Sequence, residues 1–164
     1  MSRPVVAYLL LGSNLGNRAA LLRTAQDQLA AAGEILAASA LYETAAWGRE
    51  DQPAFLNQAL AVRTDLPVRQ LLEQCLATER LAGRERLERW GSRTLDVDIL
   101  LYADAIIDEP DLTLPHPRLA ERRFALVPLA EIAPQLRHPQ LGFTVAELLA
   151  QCPDPLPVRL WPGQ

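Results

Sequence analysis

The feature that most constrains the fold is the alternation of residue types between Leu95 and Leu101. The apolar members of this alternation are Leu95, Val97, Ile99 and Leu101. A period of two predicts a β-strand with these side chains on its buried face, running to Tyr102. Asp96 and Asp98 then share the opposite face, where their like charges repel unless a cation lies between them. The pattern therefore suggests a divalent metal. A solvated pair on an exposed edge strand is the alternative interpretation.

The segment ahead of this strand is rich in arginine. Its basic residues are Arg84, Arg86, Arg89 and Arg93. They could form a solvated charge run paired with Glu85 and Glu88. Gly83 and Gly91 instead favour a loop, and a guanidinium group can grip phosphate oxygens with two parallel hydrogen bonds. Arginines beside a carboxylate pair suggest a polyphosphate substrate.

The composition of the chain excludes several classes of protein. The chain has 164 residues, which fits a single domain spanning 1–164, and a net charge of -4, which argues against nucleic-acid binding. All 16 basic residues are arginine, so a P-loop and a protein-kinase site, which both need lysine, are excluded. No apolar run has membrane-spanning length, and the N-terminus lacks a secretion-type segment. We expect a cytoplasmic protein with no membrane contact, in which Cys75 and Cys152 are buried reduced thiols.

The order of predicted elements is β-α-β-β-α-β, followed by smaller C-terminal elements. The predicted elements are strands at Val5–Leu11, Glu34–Tyr42, Phe55–Thr64 and Leu95–Tyr102, with helices from Asn17 to Gly33 and from Pro67 to Gly83. This order predicts an α+β, ferredoxin-like sandwich with helices on one face of an antiparallel sheet. The other face is then open to a ligand. Ala103-Asp104 predicts a hairpin turn into a strand at 105–108, and the proline-rich tail from Pro153 reads as an extended surface segment.

Several other residues have both a structural and a functional interpretation. Glu79 continues the apolar stripe of the second helix, so it points inward and needs a partner. His116 lies between two prolines, where a structural turn is commoner than a phosphate contact. Trp47 and Trp90 lie in polar loops beside glycine, which favours stacking on a flat heteroaromatic ligand over core packing. Asn57 shares a strand face with Phe55 and could read the hydrogen-bonding edge of such a ring.

The chain resembles the 6-hydroxymethyl-7,8-dihydropterin pyrophosphokinases of folate biosynthesis. The motifs that carry the resemblance are Gly12-Ser13-Asn14-Leu15, Tyr42-Glu43-Thr44, the segments 51–57 and 89–99, Leu112-Thr113-Leu114-Pro115-His116, and the segment 128–134. The block 89–99 is the most specific of them. The resemblance implies transfer of the pyrophosphoryl group of ATP to the pterin hydroxymethyl group, with ATP as co-substrate and release of AMP.

The resemblance also implies roles for individual residues. Two Mg²⁺ ions would be held by Asp96 and Asp98. The pterin would be held by Thr44, Ala45, Trp47, Phe55, Asn57, Trp90 and Phe124. ATP would be held by Glu79, Arg86, Arg89, Trp90, Arg93, Ile99, Thr113, His116 and Arg122. Arg84 and Arg93 would act on the catalytic loop. Ala45 and Ser92 stand where the family usually has proline.

Two alternatives stay open at this point. Another Mg²⁺-dependent nucleotidyltransferase or phosphotransferase could use the same D-x-D motif. An RNA-binding module on a βαββαβ frame is the non-enzymatic alternative, but it calls for paired aromatics on central strands and a basic surface. We expect a monomer whose partners are ATP and a reduced pterin.

Overall fold

A computed structural model describes residues 3–45, 53–83 and 95–162 of the chain. The strands of this part are β1 (Val5–Ser13), β2 (Glu34–Ala38), β3 (Tyr42–Thr44), β4 (Phe55–Thr64), β5 (Asp96–Tyr102), β6 (Ile107–Glu109), β7 (Leu112–Leu114) and β8 (Val158–Leu160). The α-helices are α1 (Arg18–Leu29), α2 (Val68–Leu81), α3 (Arg123–Ile132) and α4 (Val145–Ala150), with a short 3₁₀ helix at Leu119–Glu121. None of the helices in these ranges is long and apolar enough to cross a membrane.

The main sheet is antiparallel and lies between helices. Its strand order is β5-β1-β4-β3-β8, and β2 also pairs with β4. Apolar residues alternate along the central strands: Leu9 and Leu11 pack with α1 and α2, whereas Leu10 packs with α3 and α4. The predicted combination of helices with an antiparallel sheet is therefore confirmed.

The second face of the sheet is only partly open. Leu10, Ala59 and Leu100 on that face pack against Leu126 of α3 and Leu148 of α4. The prediction that helices occupy one face alone is therefore wrong, because α3 is apolar enough to need a surface of its own. The part of the face that stays uncovered lies beyond these residues, toward the carboxyl end of β1.

The predicted starts of α1 and α2 are confirmed. The Asn17 side chain accepts a hydrogen bond from the Ala20 N–H at 3.2 Å, as an N-cap residue does. Pro67 precedes the first turn of α2, and Gly83 after that helix has φ of 76°, a conformation that glycine adopts readily. Thr144 and Glu147 form a capping box at the start of α4.

The second predicted strand is interrupted. The Ser39 hydroxyl accepts the Ala59 N–H at 2.9 Å, and the Ala40 N–H donates to the Glu131 carboxylate. These bonds divide the predicted strand 34–42 into β2 and β3. The first strand is longer than predicted, because β1 continues through Gly12 to Ser13.

A β-bulge changes the predicted faces of β5. Tyr8 is opposite Leu101 but Leu9 is opposite Ile99, so Leu100 is an extra residue in the ladder. Leu101 consequently packs on the same side as Leu100, in the second core cluster, and not with Val97 as predicted. Asp96 and Asp98 precede the bulge and keep the predicted face.

Two predictions on the connecting segments are corrected. The turn at Ala103 exists, with φ of 49°, but β6 pairs with β7 in a separate hairpin and not with β5. The edge of β5 that does not pair with β1 is occupied by two other contacts. Glu79 accepts the Val97 N–H at 2.8 Å, and the His116 N–H donates to the Leu100 carbonyl at 2.9 Å. The tail after Pro153 is extended but not merely a surface segment, because β8 pairs with β3 at the sheet edge.

Candidate functional site

A cavity of about 560 Å³ lies where the second sheet face is uncovered. Strands β1, β4 and β5 form its floor, and α2, the β6–β7 hairpin and the start of α3 form its walls. The predicted site residues that border it are Thr44, Ala45, Phe55, Asn57, Glu79, Asp96, Asp98, Ile99, Thr113, His116, Arg122 and Phe124. The fold therefore brings together every predicted site residue that lies in the described ranges.

The remaining predicted site residues lie outside the described residues. They are Trp47, Arg84, Arg86, Arg89, Trp90 and Arg93. Residues 45 and 53, and likewise 83 and 95, flank the two segments that contain them. Ala45 itself borders the cavity.

One row of residues crosses the cavity floor. Asp96 on β5 is opposite Gly12 on β1, which is opposite Asn57 on β4. A Cβ atom at Gly12 would lie 2.7 Å from Asn57 Oδ1, so the absence of a side chain there lets the amide lie across the strand. The carboxylate and the amide are thus held on one surface by the two strands that flank β1.

The carboxylate pair lies on a rigid support. Asp96 and Asp98 are both half-buried and alternate with buried Val97. The buried Glu79 carboxylate, on α2, accepts the Val97 N–H between them at 2.8 Å. This contact meets the sequence expectation that an inward Glu79 needs a partner. Within residues 3–45, 53–83 and 95–162, no cluster of three or more metal-ligating side chains occurs. Asp96 and Asp98 are therefore the two carboxylate ligands that this part of the chain offers to a metal ion.

Cys75 lies below this acidic group and is fully buried. Burial, together with the negative charges of Glu79 and Asp98, raises the pKa of its thiol to about 12. The thiol therefore stays protonated and unreactive at neutral pH. Cys152 is also buried and free, so the prediction of two unpaired thiols is confirmed.

His116 is held as a neutral hydrogen-bond donor. Burial lowers the pKa of its imidazole to about 4, and the positive charges of Arg122 and Arg118 act in the same direction. Its Nδ1 accepts the Arg118 N–H at 3.2 Å, so the single proton of the neutral ring is on Nε2. The imidazole can thus donate a hydrogen bond through Nε2, but it does not carry a charge.

Arg122 and Phe124 come from the start of α3. The Arg122 guanidinium lies 5.6 Å from the centroid of the Phe124 ring, within cation–π range. Burial lowers the pKa of Arg122, whereas the charges of Asp98 and Asp96 oppose that shift. Arginine stays protonated at any ordinary pH, so a cation faces the carboxylate pair across the cavity.

Thr44 borders this space and carries a buried hydroxyl. Its side chain is 3% exposed, and its hydroxyl has no hydrogen-bond partner within the described part of the chain. A buried hydroxyl without a partner is unfavourable, and a polar ligand in the cavity would satisfy it.

The two residues before β4 are anchored by side chains that the sequence interpretation did not single out. Asn14 Nδ2 donates to the Pro53 carbonyl at 3.0 Å, and Arg18 donates to the Ala54 carbonyl at 2.8 Å and to Glu43 at 2.8 Å. Asn14 also borders the cavity. Asn14 was named above only as a member of the motif Gly12-Ser13-Asn14-Leu15. A polar residue directly after a buried strand was the available signal.

Further cavity residues were missed because they come from apolar or loop positions. They include Leu10, Gly12, Leu72, Pro110, Asp111 and Pro117. The hairpin that carries Asp111 is tied to α2 by ion pairs from Arg69 to Asp111, at 2.7 Å, and to Glu109. Only the unpredicted pairing of β6 with β7 brings Asp111 to the cavity, so no local sequence signal could have found it.

Comparison with known protein sequences points to one enzyme family. Residues 8–134 match the model of the 7,8-dihydro-6-hydroxymethylpterin-pyrophosphokinase family. The 2-amino-4-hydroxy-6-hydroxymethyldihydropteridine pyrophosphokinase of Methylorubrum extorquens is 49% identical over 147 residues, covering 88% of this chain and 92% of that protein. The enzyme of the same name from Bacillus subtilis is 46% identical, with 80% of each chain covered.

Solved structures agree at the level of the fold. A wild-type Plasmodium falciparum HPPK-DHPS chain with SDX-DHP superposes with a TM-score of 0.71 at 17% identity. The match covers 92% of this chain but only 44% of that longer one. With the family model covering most of the chain and two relatives above 40% identity, the chain belongs to the 7,8-dihydro-6-hydroxymethylpterin-pyrophosphokinase family.

Proposed function

We propose that the cavity is the active site and that it holds ATP and the pterin side by side. As a member of its family, the chain transfers the pyrophosphoryl group of ATP to the hydroxymethyl group of 6-hydroxymethyl-7,8-dihydropterin, a step of folate biosynthesis. One observation supports this location of the active site: twelve predicted site residues between Thr44 and Phe124 border the same 560 Å³ cavity. That volume is within the range of ligand pockets.

The pterin is assigned to the end of the cavity near β3 and β4. Asn57 can both donate to and accept from the edge of the heterocycle. The buried Thr44 hydroxyl supports the same position, because it gains a partner there. Phe55 and Phe124 offer ring faces for stacking, and the backbone at Ala45 borders the same end. Trp47 and Trp90 are proposed as further aromatic walls.

Asp96 and Asp98 are assigned to two Mg²⁺ ions. Mg²⁺ is usually bound by one or two carboxylates together with substrate phosphates, so a pair on one strand face fits the ion without further protein ligands. The ions supply positive charge that offsets the charge on the phosphates when bound. The contribution of the chain is to hold both carboxylates in place, through the β5 ladder and the Glu79 contact at Val97.

ATP is assigned to the remaining walls. Arg122 and the Nε2–H of His116 supply donors for phosphate oxygens, and Thr113 lies on the adjacent hairpin. The Ile99 side chain packs in the core, so its contact with the nucleotide is through main-chain groups. The Val97 N–H points to the edge of β5 that does not pair with β1. Ile99, two residues along, presents its main chain to the same edge. Glu79 is proposed to act there through the strand.

The reaction follows from positioning and charge. The pterin hydroxyl oxygen forms a bond to the β-phosphorus of ATP, the bond from that phosphorus to the bridging oxygen of AMP breaks, and the hydroxyl proton is released. Such transfers depend on alignment and on neutralising phosphate charge. Arg122 provides that charge within the described residues, and Arg84, Arg86, Arg89 and Arg93 are proposed to add to it.

Two finer assignments belong with this proposal. We assign the frame to the ferredoxin-like plan, which the strand order and the positions of α1 and α2 support. A cytoplasmic enzyme is supported by the two free thiols, which are usual in a reducing compartment. The monomeric state stays a prediction.

The test is a product assay with the purified chain, ATP, Mg²⁺ and the hydroxymethyl pterin. We expect AMP and the pterin diphosphate to appear together in equal amounts. Asp96→Asn and Asp98→Asn should each lower kcat by about 10³-fold with unchanged folding. Asp27→Asn, the same change at an exposed position of α1, is the control. Release of inorganic pyrophosphate in place of AMP would indicate a nucleotidyltransferase. Near-normal turnover of Asp96→Asn would refute the metal assignment.

A further inference from the structure

The C-terminal tail, residues 152–161, contacts the start of α3 through one buried carboxylate. Asp154 is 3% exposed. Its Oδ2 accepts the Arg123 N–H at 3.0 Å, and its Oδ1 accepts the Leu156 N–H at 3.0 Å. One carboxylate therefore fixes both the conformation of the tail and its attachment to the helix.

The contact is reciprocal. Arg123 Nε donates to the Asp154 carbonyl at 2.9 Å, and its Nη2 donates to the Cys152 carbonyl at 3.2 Å. Arg122, at the N-cap position of α3, makes no side-chain capping bond. The tail thus supplies the acceptor and the negative charge that the first turn of a helix needs.

The same tail also supports the opposite side of the cavity. In β8, Val158 is opposite Thr44 of β3, and the Trp161 N–H donates to the Leu41 carbonyl at 2.9 Å. Thr44 and Phe124 both border the cavity and come from different elements. The tail connects these two elements, although it lies beyond residues 8–134 that match the family model.

We propose that the tail is a positioning element for the pterin end of the cavity, with Asp154 as its positioning residue. Arg123, which Asp154 holds, lies directly between Arg122 and Phe124 in the sequence. A shift of this first turn moves the Phe124 ring and the guanidinium stacked on it. The inference rests on the proposed assignment of the pterin to Thr44, Asn57 and Phe124.

The test compares Asp154→Asn, which alters the carboxylate that accepts the Arg123 N–H, with Arg123→Gln, which removes the two guanidinium hydrogen bonds from the helix to the Asp154 and Cys152 carbonyls. Asparagine is close in shape to aspartate, but its amide NH₂ cannot accept the second N–H. For either variant we expect the pterin KM to rise about tenfold, with smaller changes in the ATP KM and kcat, since Arg122 is the one assigned ATP residue in this turn within the described ranges and the metal residues lie on β5. Asp27→Asn on α1 is the matched control and should leave all three constants unchanged.

The outcomes separate the tail from the site itself. A folded Asp154→Asn or Arg123→Gln protein whose pterin KM is that of the unmodified chain would overturn the proposal, even if its Tm has fallen. Phe124→Ala tests the underlying site: an unchanged pterin KM there would show that the pterin assignment has failed. A raised KM for Phe124→Ala alone would mean that only the tail proposal has failed.

If both tail variants are unfolded, hydrogen exchange of the unmodified chain decides. Pterin binding, in the presence of a non-hydrolysable ATP analogue, should slow amide exchange at Arg123 and Leu156, whose N–H groups Asp154 accepts. Exchange at both positions that is unchanged by the pterin would overturn the proposal.

Discussion

Replacing Gly12 by alanine should damage pterin binding and spare the fold. The new Cβ would lie 2.7 Å from Asn57 Oδ1, whereas its next neighbours, atoms of Phe55 and Asn57, lie at 3.7 and 3.8 Å. Reaching an ordinary contact of 3.4 Å requires the amide oxygen to move by about 0.7 Å. The amide is the end of a side chain and can move, and the extended backbone of β1 accepts alanine.

This movement of the amide oxygen weakens the binding of the pterin. A hydrogen bond lengthened by about 0.7 Å is largely lost, and the unsatisfied group on a buried ring adds to the penalty, giving about 2 kcal/mol. The dissociation constant of the pterin should therefore rise about 30-fold. Calorimetric titration of pterin into the chain with a non-hydrolysable ATP analogue measures this value, and a urea melt should give an unfolding free energy within about 1 kcal/mol of that of the unmodified chain.

Two comparisons make the test specific. In the Asn57→Ala background, Gly12→Ala should have almost no further effect, because both changes act on the same amide. Gly33→Ala is the matched control: its Cβ would lie 2.2 Å from the Arg63 carbonyl oxygen, which is backbone and cannot move cheaply. Gly33→Ala should therefore lower the free energy of unfolding and leave the affinity for the pterin unchanged. Pterin binding by Gly12→Ala within twofold of normal, or additive losses in the double variant, would refute the reasoning.

Three further predictions follow from the site. Glu79→Ala leaves the buried Val97 N–H without its acceptor and should lower the free energy of unfolding by about 1–3 kcal/mol in urea, and Glu79→Gln, which keeps an acceptor, should lose less. The imidazole of His116 should titrate near pH 4 by NMR in the free chain, and added ATP should raise that pKa because phosphate favours the charged ring. Because the unfolded chain binds this proton near pH 6.5, stability contributed by the neutral ring is present above that pH and is lost as the pH falls toward 4. His116→Gln should abolish about 3 kcal/mol of that pH dependence.

Residue periodicity predicted the elements that position the metal pair. The alternation around Asp96 and Asp98 gave the correct strand and the correct face, because both precede the irregularity in the ladder. Leu101 was assigned to the wrong face, since one inserted residue reverses the alternation and leaves no mark in the composition of the strand. The strand β4 was predicted with the bounds that the structure gives, 55–64.

Pairing partners were harder to predict than elements. The strand after Ala103 was expected to extend the sheet, but the edge of β5 is occupied by Glu79 and by the main chain at His116. Glu79 lies 18 residues before its partner Val97 and His116 lies 16 residues after its partner Leu100, so local patterns do not contain these contacts. The same limit explains why Asp154 went unnoticed: its partner is 31 residues away.

The candidate site could be predicted residue by residue where the resemblance supplied a motif. Thr44, Asn57 and Phe124 were named in that way, and the structure places them around one cavity. Gly12 and Asn14 belonged to a motif that carries the resemblance, but neither was given a role of its own. Their importance lies in the space and the hydrogen bond that they provide to neighbouring strands, which only three-dimensional packing reveals.

The most direct test of the account is a crystal structure with Mg²⁺, a non-hydrolysable ATP analogue and the hydroxymethyl pterin bound together. We predict Mg²⁺ ions in contact with the carboxylates of Asp96 and Asp98, and the pterin ring hydrogen-bonded to Asn57 two strands away. Ions bound elsewhere with both aspartates facing water, or a pterin outside this cavity, would contradict the central claim.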